Sequence, residues 1–108
     1  MMEYLSGPLT VEDFIKAVTN NKPVLVDFYA TWCEPCKFLD EILIELEQRL
    51  NNKANIVKLD IDEHPELKKH FSMMSVPTLM IFKEGKLQWR MPGFMLTGEM
   101  EKKILEYV

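Results

Sequence analysis

Six consecutive residues, Val24-Leu25-Val26-Asp27-Phe28-Tyr29, constrain the fold of this chain more than any other stretch. They are β-branched or aromatic, nearly unbroken in apolar character and short. That is the pattern of a central strand covered on both faces. Such a strand needs helical layers on both sides, and the flanking sequence supplies them. Before it, Val11, Phe14, Ile15 and Val18 recur at helical spacing. Thr10 is placed to cap that helix, with Asp13 as a capping-box partner, and Asn20-Asn21 and Pro23 end it. After it, Phe38, Leu39, Ile42, Leu43, Leu46 and Leu50 form the stripe of a long helix. Pro35 lies in that helix's first turn, where a missing N–H costs nothing, and Asn51-Asn52 stops it.

Residues 56–61 read as a second strand, so strand, helix and strand make a βαβ unit with parallel strands and a right-handed crossover. Residues 65–71 read as a short helix. Residues 78–82 and 86–91 read as strands around a Lys83-Glu84-Gly85 hairpin, with glycine at the tight position. Thr97 is expected to cap a last helix carrying Met100, Ile104, Tyr107 and Val108 on one face. The order predicts an α/β fold: a mixed sheet of four to five strands flanked by helices on both faces. With 108 residues and neither repeats nor a linker, residues 1–108 are expected to form a single domain.

Charge and cysteine usage narrow the function classes. A net charge of -4 without a basic stripe speaks against nucleic acid or an anionic membrane as partner. No apolar run approaches the roughly 20 residues of a membrane span. Residues 1–10 lack the basic and apolar regions of a secretory signal, so a cytoplasmic location is expected. The chain has two cysteines, three positions apart, whereas a disulfide-stapled secreted chain uses more at longer spacings. A close pair in an otherwise well-cored chain points to redox or metal chemistry. Zinc generally takes four ligands, and no second close pair is present. His64 and His70 are the only histidines and lie outside the motif, so no metal site is expected.

The pair stands in Trp32-Cys33-Glu34-Pro35-Cys36-Lys37, where the central strand gives way to the long helix. Free N–H groups and the positive dipole end of a helix start both favour a thiolate at Cys33, with Lys37 adding a little. A lowered pKa makes that sulfur nucleophilic near neutral pH. Cys36, one turn deeper, can reach the Cys33 sulfur and is expected to be the more buried and less ionised. Glu34, a carboxylate between the two, should repel a thiolate at Cys33 and push the couple toward the reducing end. Asp27 interrupts an apolar strand. A buried carboxylate is costly, so its pKa should rise or a cation should be near.

Taken together, the run from Val24 to Lys37, Val76-Pro77-Thr78, Phe82-Lys83-Glu84-Gly85 and Gly93 resemble the thioredoxin family over essentially the whole chain. The resemblance implies a thiol–disulfide oxidoreductase that reduces client protein disulfides and supports cell redox homeostasis. Cys33 would attack and Cys36 resolve. Asp27 would handle the proton of the resolving cysteine, and Lys58 would lie near that acid. Pro77 would be a cis-proline facing the disulfide, and Val76 would pair backbone to backbone with the client. Trp32, Pro35 and Gly93 would belong to the docking surface. The resemblance further implies a monomer with no bound cofactor, receiving electrons from a thioredoxin reductase that uses NADPH and flavin. Departures from the family pattern are Glu34 for glycine, Tyr29 for tryptophan, Ser75 for glycine, and Pro92 and Phe94 around Gly93. They bear on client preference and redox potential.

Other readings stand beside these. A disulfide isomerase or oxidase on the same fold is the nearest rival, and a non-catalytic docking subunit is a more distant one. Asp27 and Lys58 also fit a purely structural pair. Asp60, Asp62, Glu63 and His64 read as a solvated loop with acids at a helix start. Trp89 and Arg90 read as surface packing on an edge strand. Met73, Met74, Met91 and Met95 fit either core filling or an adaptable apolar patch.

Overall fold

The computed structural model describes residues 2–108. The elements run β1 (Met2–Tyr4), α1 (Val11–Val18), β2 (Val24–Tyr29), α2 (Glu34–Leu50), β3 (Asn55–Asp60), a 3₁₀ turn (Ile61–Glu63), α3 (Pro65–His70), β4 (Thr78–Lys83), β5 (Lys86–Pro92) and α4 (Thr97–Leu105). Among the described residues the strands form one sheet in the order β1-β3-β2-β4-β5. The apolar run Val24–Tyr29 is thus the middle strand, and its first five residues are buried. β2 pairs with β3 in parallel and with β4 antiparallel, which makes the sheet mixed.

Side chains along β2 alternate between two layers, because the strand period is two. Val24, Val26 and Phe28 join Phe14, Phe71 and Phe82 under α1 and α3, where the rings stack edge to face or tilted at 5.4–6.2 Å. Leu25 faces the other layer with Leu39, Leu43, Leu46 and Leu50 of α2 and Met100 and Ile104 of α4. Each fully buried leucine is worth about 2 kcal/mol, so this seam is what fixes α2, and with it the helix start, against the sheet.

The local signals mostly act as their chemistry requires. Thr10 Oγ1 accepts the Asp13 N–H at 3.0 Å and Asp13 Oδ2 accepts the Thr10 N–H at 3.4 Å, a closed capping box. Asn51 and Asn52 end α2 with φ of 46° and 68°, in the left-handed region that asparagine tolerates. Several expectations are corrected. β1 has no strand signature, yet Met2–Tyr4 adds to the sheet by pairing with Ile56–Lys58. Leu96, not Thr97, is the N-cap of α4; Thr97 opens the helix, and its hydroxyl donates to Glu45 Oε2. Phe38 and Val108 lie on exposed surface rather than in the core: α2 presents only about a third of its circumference to the sheet, and Val108 lies beyond the end of α4.

The β4–β5 hairpin closes through Glu84 (φ 52°) and Gly85 (φ 78°), the two-residue turn whose twist matches the strands. The turn is docked onto the end of α1: the Glu84 N–H donates to Asn20 O at 3.0 Å. A Cβ on Gly85 would lie 2.6 Å from Thr19 Oγ1, itself held by donating to Ile15 O. Gly85→Ala is therefore expected to destabilise the fold by about 1–3 kcal/mol, from left-handed strain and this clash together. Urea unfolding of the two proteins measures it; a loss under a few tenths of a kcal/mol would mean the turn relaxes freely.

Candidate functional site

β2 ends at Tyr29, and Ala30, Thr31 and Trp32 carry the chain to Cys33, the N-cap of α2. Cys33 is extended (φ -93°, ψ 114°), and its sulfur accepts the Cys36 N–H at 3.2 Å. A sulfur thus occupies the place of the usual capping oxygen, aimed at the free N–H groups of the first turn. Cys33 and Cys36 are joined as a disulfide with Cα atoms 5.3 Å apart. The expected difference in burial is not found: Cys33 is 4% exposed and Cys36 3%. In the disulfide the two residues are almost equally buried, so exposure does not separate them.

Glu34 and Lys37 project outward. Lys37 Nζ donates to Glu34 Oε1 at 3.0 Å, and both side chains are largely exposed. The two side chains expected to act on Cys33 in opposite senses thus face each other at the surface, in a pair that water largely solvates. Pro35 sits in the first turn as the sequence requires.

Val76–Pro77 is a cis peptide. Val76 O lies 3.6 Å from Cys33 Sγ, and Val76 precedes β4, so its backbone stands outside the sheet ladder. Pro77 O accepts the Gly93 N–H at 2.7 Å, which binds residues 76–77 to the end of β5. Thr78 Oγ1 donates to Ser75 O, and Arg90 donates from Nη1 to Phe71 O and from Nη2 to Ser72 O. Arg90 is therefore more than surface packing: it ties the edge strand to the loop that delivers Val76. Trp32 is 68% exposed beside the disulfide, with Nε1 donating to Asp62 Oδ2 at 2.9 Å. Of the methionines, Met73 is core, Met91 and Met95 are half-buried, and Met74 is almost wholly exposed.

Beneath the helix start lies a charged cluster. Asp27 and Lys58 are register partners across β2 and β3, on the same face of the sheet as Leu25 and Ile56. Lys58 Nζ donates to Asp27 Oδ2 at 3.1 Å, and both side chains are buried. The same ammonium also donates to Asp40 Oδ1 on α2. Sequence reasoning missed Asp40. Its one signal was position, since Asp40 follows Cys36 by four residues and so shares its helix face. Among the described residues Asp27 Oδ1 has no hydrogen-bond partner. Burial raises the Asp27 pKa to about 6; Lys58 pulls it down and the Asp40 charge pushes it up. Burial works against the Lys58 charge, but Asp27 and Asp40 outweigh it and hold its pKa above the ordinary lysine value.

The loop of residues 60–64 is solvated only in part: Asp62 and Glu63 are exposed as expected, while Asp60 and His64 are buried. The chain at Gly7 packs against His64, where a Cβ would lie 2.7 Å from His64 Nε2. Asp60 Oδ1 caps the 3₁₀ turn by accepting the Asp62 N–H, and His64 Nδ1 donates to Asp60 O. Among the described residues no group of three or more His, Cys, Asp or Glu side chains is arranged to hold a metal ion.

The Asp27 pKa has a consequence for stability. The unfolded chain releases this proton near 3.8 and the folded chain near 6, so the folded state binds more protons in between. Stability from this group is full below pH 4 and falls as pH rises through 6, by up to about 3 kcal/mol. Asp27→Asn has no charge to bury. Urea unfolding of the oxidised proteins is expected to show the variant gaining on the wild type between pH 4 and pH 8. A gain that is the same at both pH values would remove the buried-charge explanation.

Comparison with known proteins gives the same reading. The thioredoxin family model matches residues 6–106. A thioredoxin of Alicyclobacillus acidocaldarius is 37% identical over 98 residues, covering 91% of this chain and 93% of that protein. A protein of Mycobacterium leprae named bifunctional thioredoxin reductase/thioredoxin is 41% identical over 80 residues, 74% of this chain and 18% of that protein. Among solved structures, oxidised mitochondrial thioredoxin 3 of Saccharomyces cerevisiae superimposes with a TM-score of 0.81 at 30% identity, covering 97% of this chain and 94% of that one.

Proposed function

The chain belongs to the thioredoxin family and is a thiol–disulfide oxidoreductase, and we propose that it works as a reductase of client protein disulfides, with Cys33 attacking and Cys36 resolving. The observation that carries the assignment of roles is the capping geometry. The Cys36 N–H points at Cys33 Sγ, so a thiolate at Cys33 is stabilised by that donor and by the helix dipole behind it.

The exchange runs in two displacements. Cys33 thiolate attacks one sulfur of a client disulfide; the client S–S bond breaks, one client sulfur leaves as a thiolate and the other stays joined to Cys33. Asp27 then takes the Cys36 proton. Cys36 sulfur attacks Cys33 sulfur, the bond from Cys33 to the client breaks, and the second client thiolate leaves. The client gains two electrons and the protein ends as the disulfide. Asp27 suits the proton step because its pKa of about 6 leaves it ionised, yet still a useful base, near neutral pH. Its position supports this too: it is linked through Lys58 to Asp40, one turn from Cys36 on the same helix face. Lys58 holds the carboxylate in place.

The client would lie across Trp32, Pro35, Val76, Pro77 and Gly93. The free backbone at Val76 is suited to pair with an extended client segment beside the Cys33 sulfur. In this reading the protein is a monomer that binds neither nucleic acid nor membrane and holds no cofactor or metal of its own. Electrons return through a thioredoxin reductase using NADPH and flavin, a partnership that the name of the fused Mycobacterium leprae relative supports. The place of action is the cytoplasm, as part of cell redox homeostasis and electron transport, which fits a two-cysteine chain whose cysteines are both in the reactive pair. One domain, residues 1–108, carries the whole activity.

NADPH consumption in a coupled assay with a thioredoxin reductase and a disulfide client tests the reductase direction; turnover that survives Cys33→Ser would sink it. The two cysteines separate further by trapping. Cys36→Ser is expected to accumulate a mixed disulfide with the client, and Cys33→Ser is not, since the capped sulfur is then lost. Mass spectrometry of each variant incubated with client reads this out directly. Equal adducts from both would mean the roles are shared or reversed.

A further inference from the structure

The Lys58 ammonium meets groups from three elements besides its own strand. From β2 it meets Asp27 at 3.1 Å and the Tyr29 ring at 4.9 Å; from β1, the Tyr4 ring at 5.5 Å; from α2, the Asp40 carboxylate. Across β2 from Asp27, the register partner on β4 is Leu79, which carries no charge. Two of the three ammonium N–H donors are therefore taken by carboxylates from two different elements, with two aromatic faces close by. The carboxylates differ in their access to water. Asp27 is fully buried, Lys58 is 2% exposed and Asp40 is 46% exposed. Asp27, Lys58 and Asp40 form a line of charges from the interior to the solvent.

An ion pair on the surface is worth little, because water solvates both partners. This one differs in that the shared cation is buried, so removing one carboxylate commits the ammonium to the other. We propose that Asp40 is a positioning residue for the resolving step: it holds the Lys58 ammonium from the solvent side and keeps that cation shared instead of committed to Asp27. The proposal rests on the reading that Asp27 accepts the Cys36 proton, and it extends that reading to how the base is tuned. Held between two carboxylates, Lys58 stabilises the Asp27 charge less than it would alone, which leaves Asp27 a stronger base. When Asp27 takes the Cys36 proton, Lys58 loses one anion and keeps the other, so no buried charge is left unpaired during the exchange. The proton can then pass from Asp27 to solvent once the disulfide has closed.

The test compares the reduced wild type with Asp40→Asn, Asp40→Glu and Glu41→Gln. Glu41 is an exposed carboxylate on the same helix and serves as the control for general charge. Two quantities are followed against pH: the Asp27 side-chain carboxyl carbon shift by NMR, and the single-turnover rate at which the mixed disulfide resolves. Asp40→Asn is expected to lower the Asp27 titration midpoint by about one pH unit. The midpoint of the rate profile should fall with it, and the plateau rate by about threefold, since a weaker base removes the proton more slowly. Asp40→Glu should restore most of both, and Glu41→Gln should move neither. An Asp27 titration unmoved by Asp40→Asn, or moved equally by Glu41→Gln, overturns the proposal. A titration that moves while the rate profile stays fixed supports the hold of Asp40 on Lys58 and overturns Asp27 as the proton acceptor. The two readings therefore fail separately.

Discussion

The register between β2 and β3 is the constraint on which both the fold and its chemistry depend. It sets Asp27 opposite Lys58 on one face, with Val26 and Val57, and Phe28 and Leu59, on the other. Strand side chains alternate, so a slip of one residue would drive Lys58 into the aromatic layer under α1 and leave Asp27 opposite an apolar partner. An unpaired buried charge costs several kcal/mol. The pair itself adds little net stability, because desolvating two charges offsets most of their attraction. Its larger effect is to make every other register worse. The acid in the middle of the central strand thus helps to fix the sheet whose position it needs for chemistry.

α2 joins this sheet to the reactive pair. Its leucine seam binds it to the face that carries Asp27 and Lys58, and its first turn holds both cysteines. The helical period brings Cys36 and Asp40 onto one face, so the same helix carries a reactive sulfur and the carboxylate that binds Lys58. The second wall comes from a different part of the chain. Residues 76–77 are held over Cys33 by Gly93 at the end of β5, while Arg90 secures the loop before them. The site is a seam between two halves of the sheet, and no single segment could build it.

This explains which parts were legible in the sequence. Segments whose role depends on local pattern could be read: the apolar run of β2, the capping box at Thr10, the stripe of α2, the glycine in the hairpin. The reactive pair was legible because its spacing and helix-start position are local too. Asp27 stood out because it is a charge in an apolar strand, whereas Lys58 and the cis bond before Pro77 came only from family resemblance. Asp40 was not legible, because an aspartate on an otherwise polar helix surface looks like any other. β1 was missed because three residues have no period to detect, and Met2–Tyr4 becomes a strand only through the waiting edge of β3. His64 was misjudged for a similar reason: its burial comes from Gly7, fifty-seven positions earlier in the chain.

The equal burial of Cys33 and Cys36 moves the source of their difference from exposure to electrostatics. Whole-residue exposure in the disulfide is almost the same for the two cysteines. What differs is the company each keeps. Cys33 has a backbone N–H aimed at its sulfur and the Val76 carbonyl at the mouth of the site. Cys36 precedes Asp40 by four residues on α2 and so shares a helix face with the carboxylate that binds Lys58. In the proposed mechanism Asp27 takes the Cys36 proton, so the carboxylate that would oppose a second negative charge is neutral when Cys36 ionises. On that proposal the order of the two exchanges follows from the charges around the sulfurs: the N–H at Cys33 favours its thiolate first, and Cys36 follows when Asp27 takes its proton.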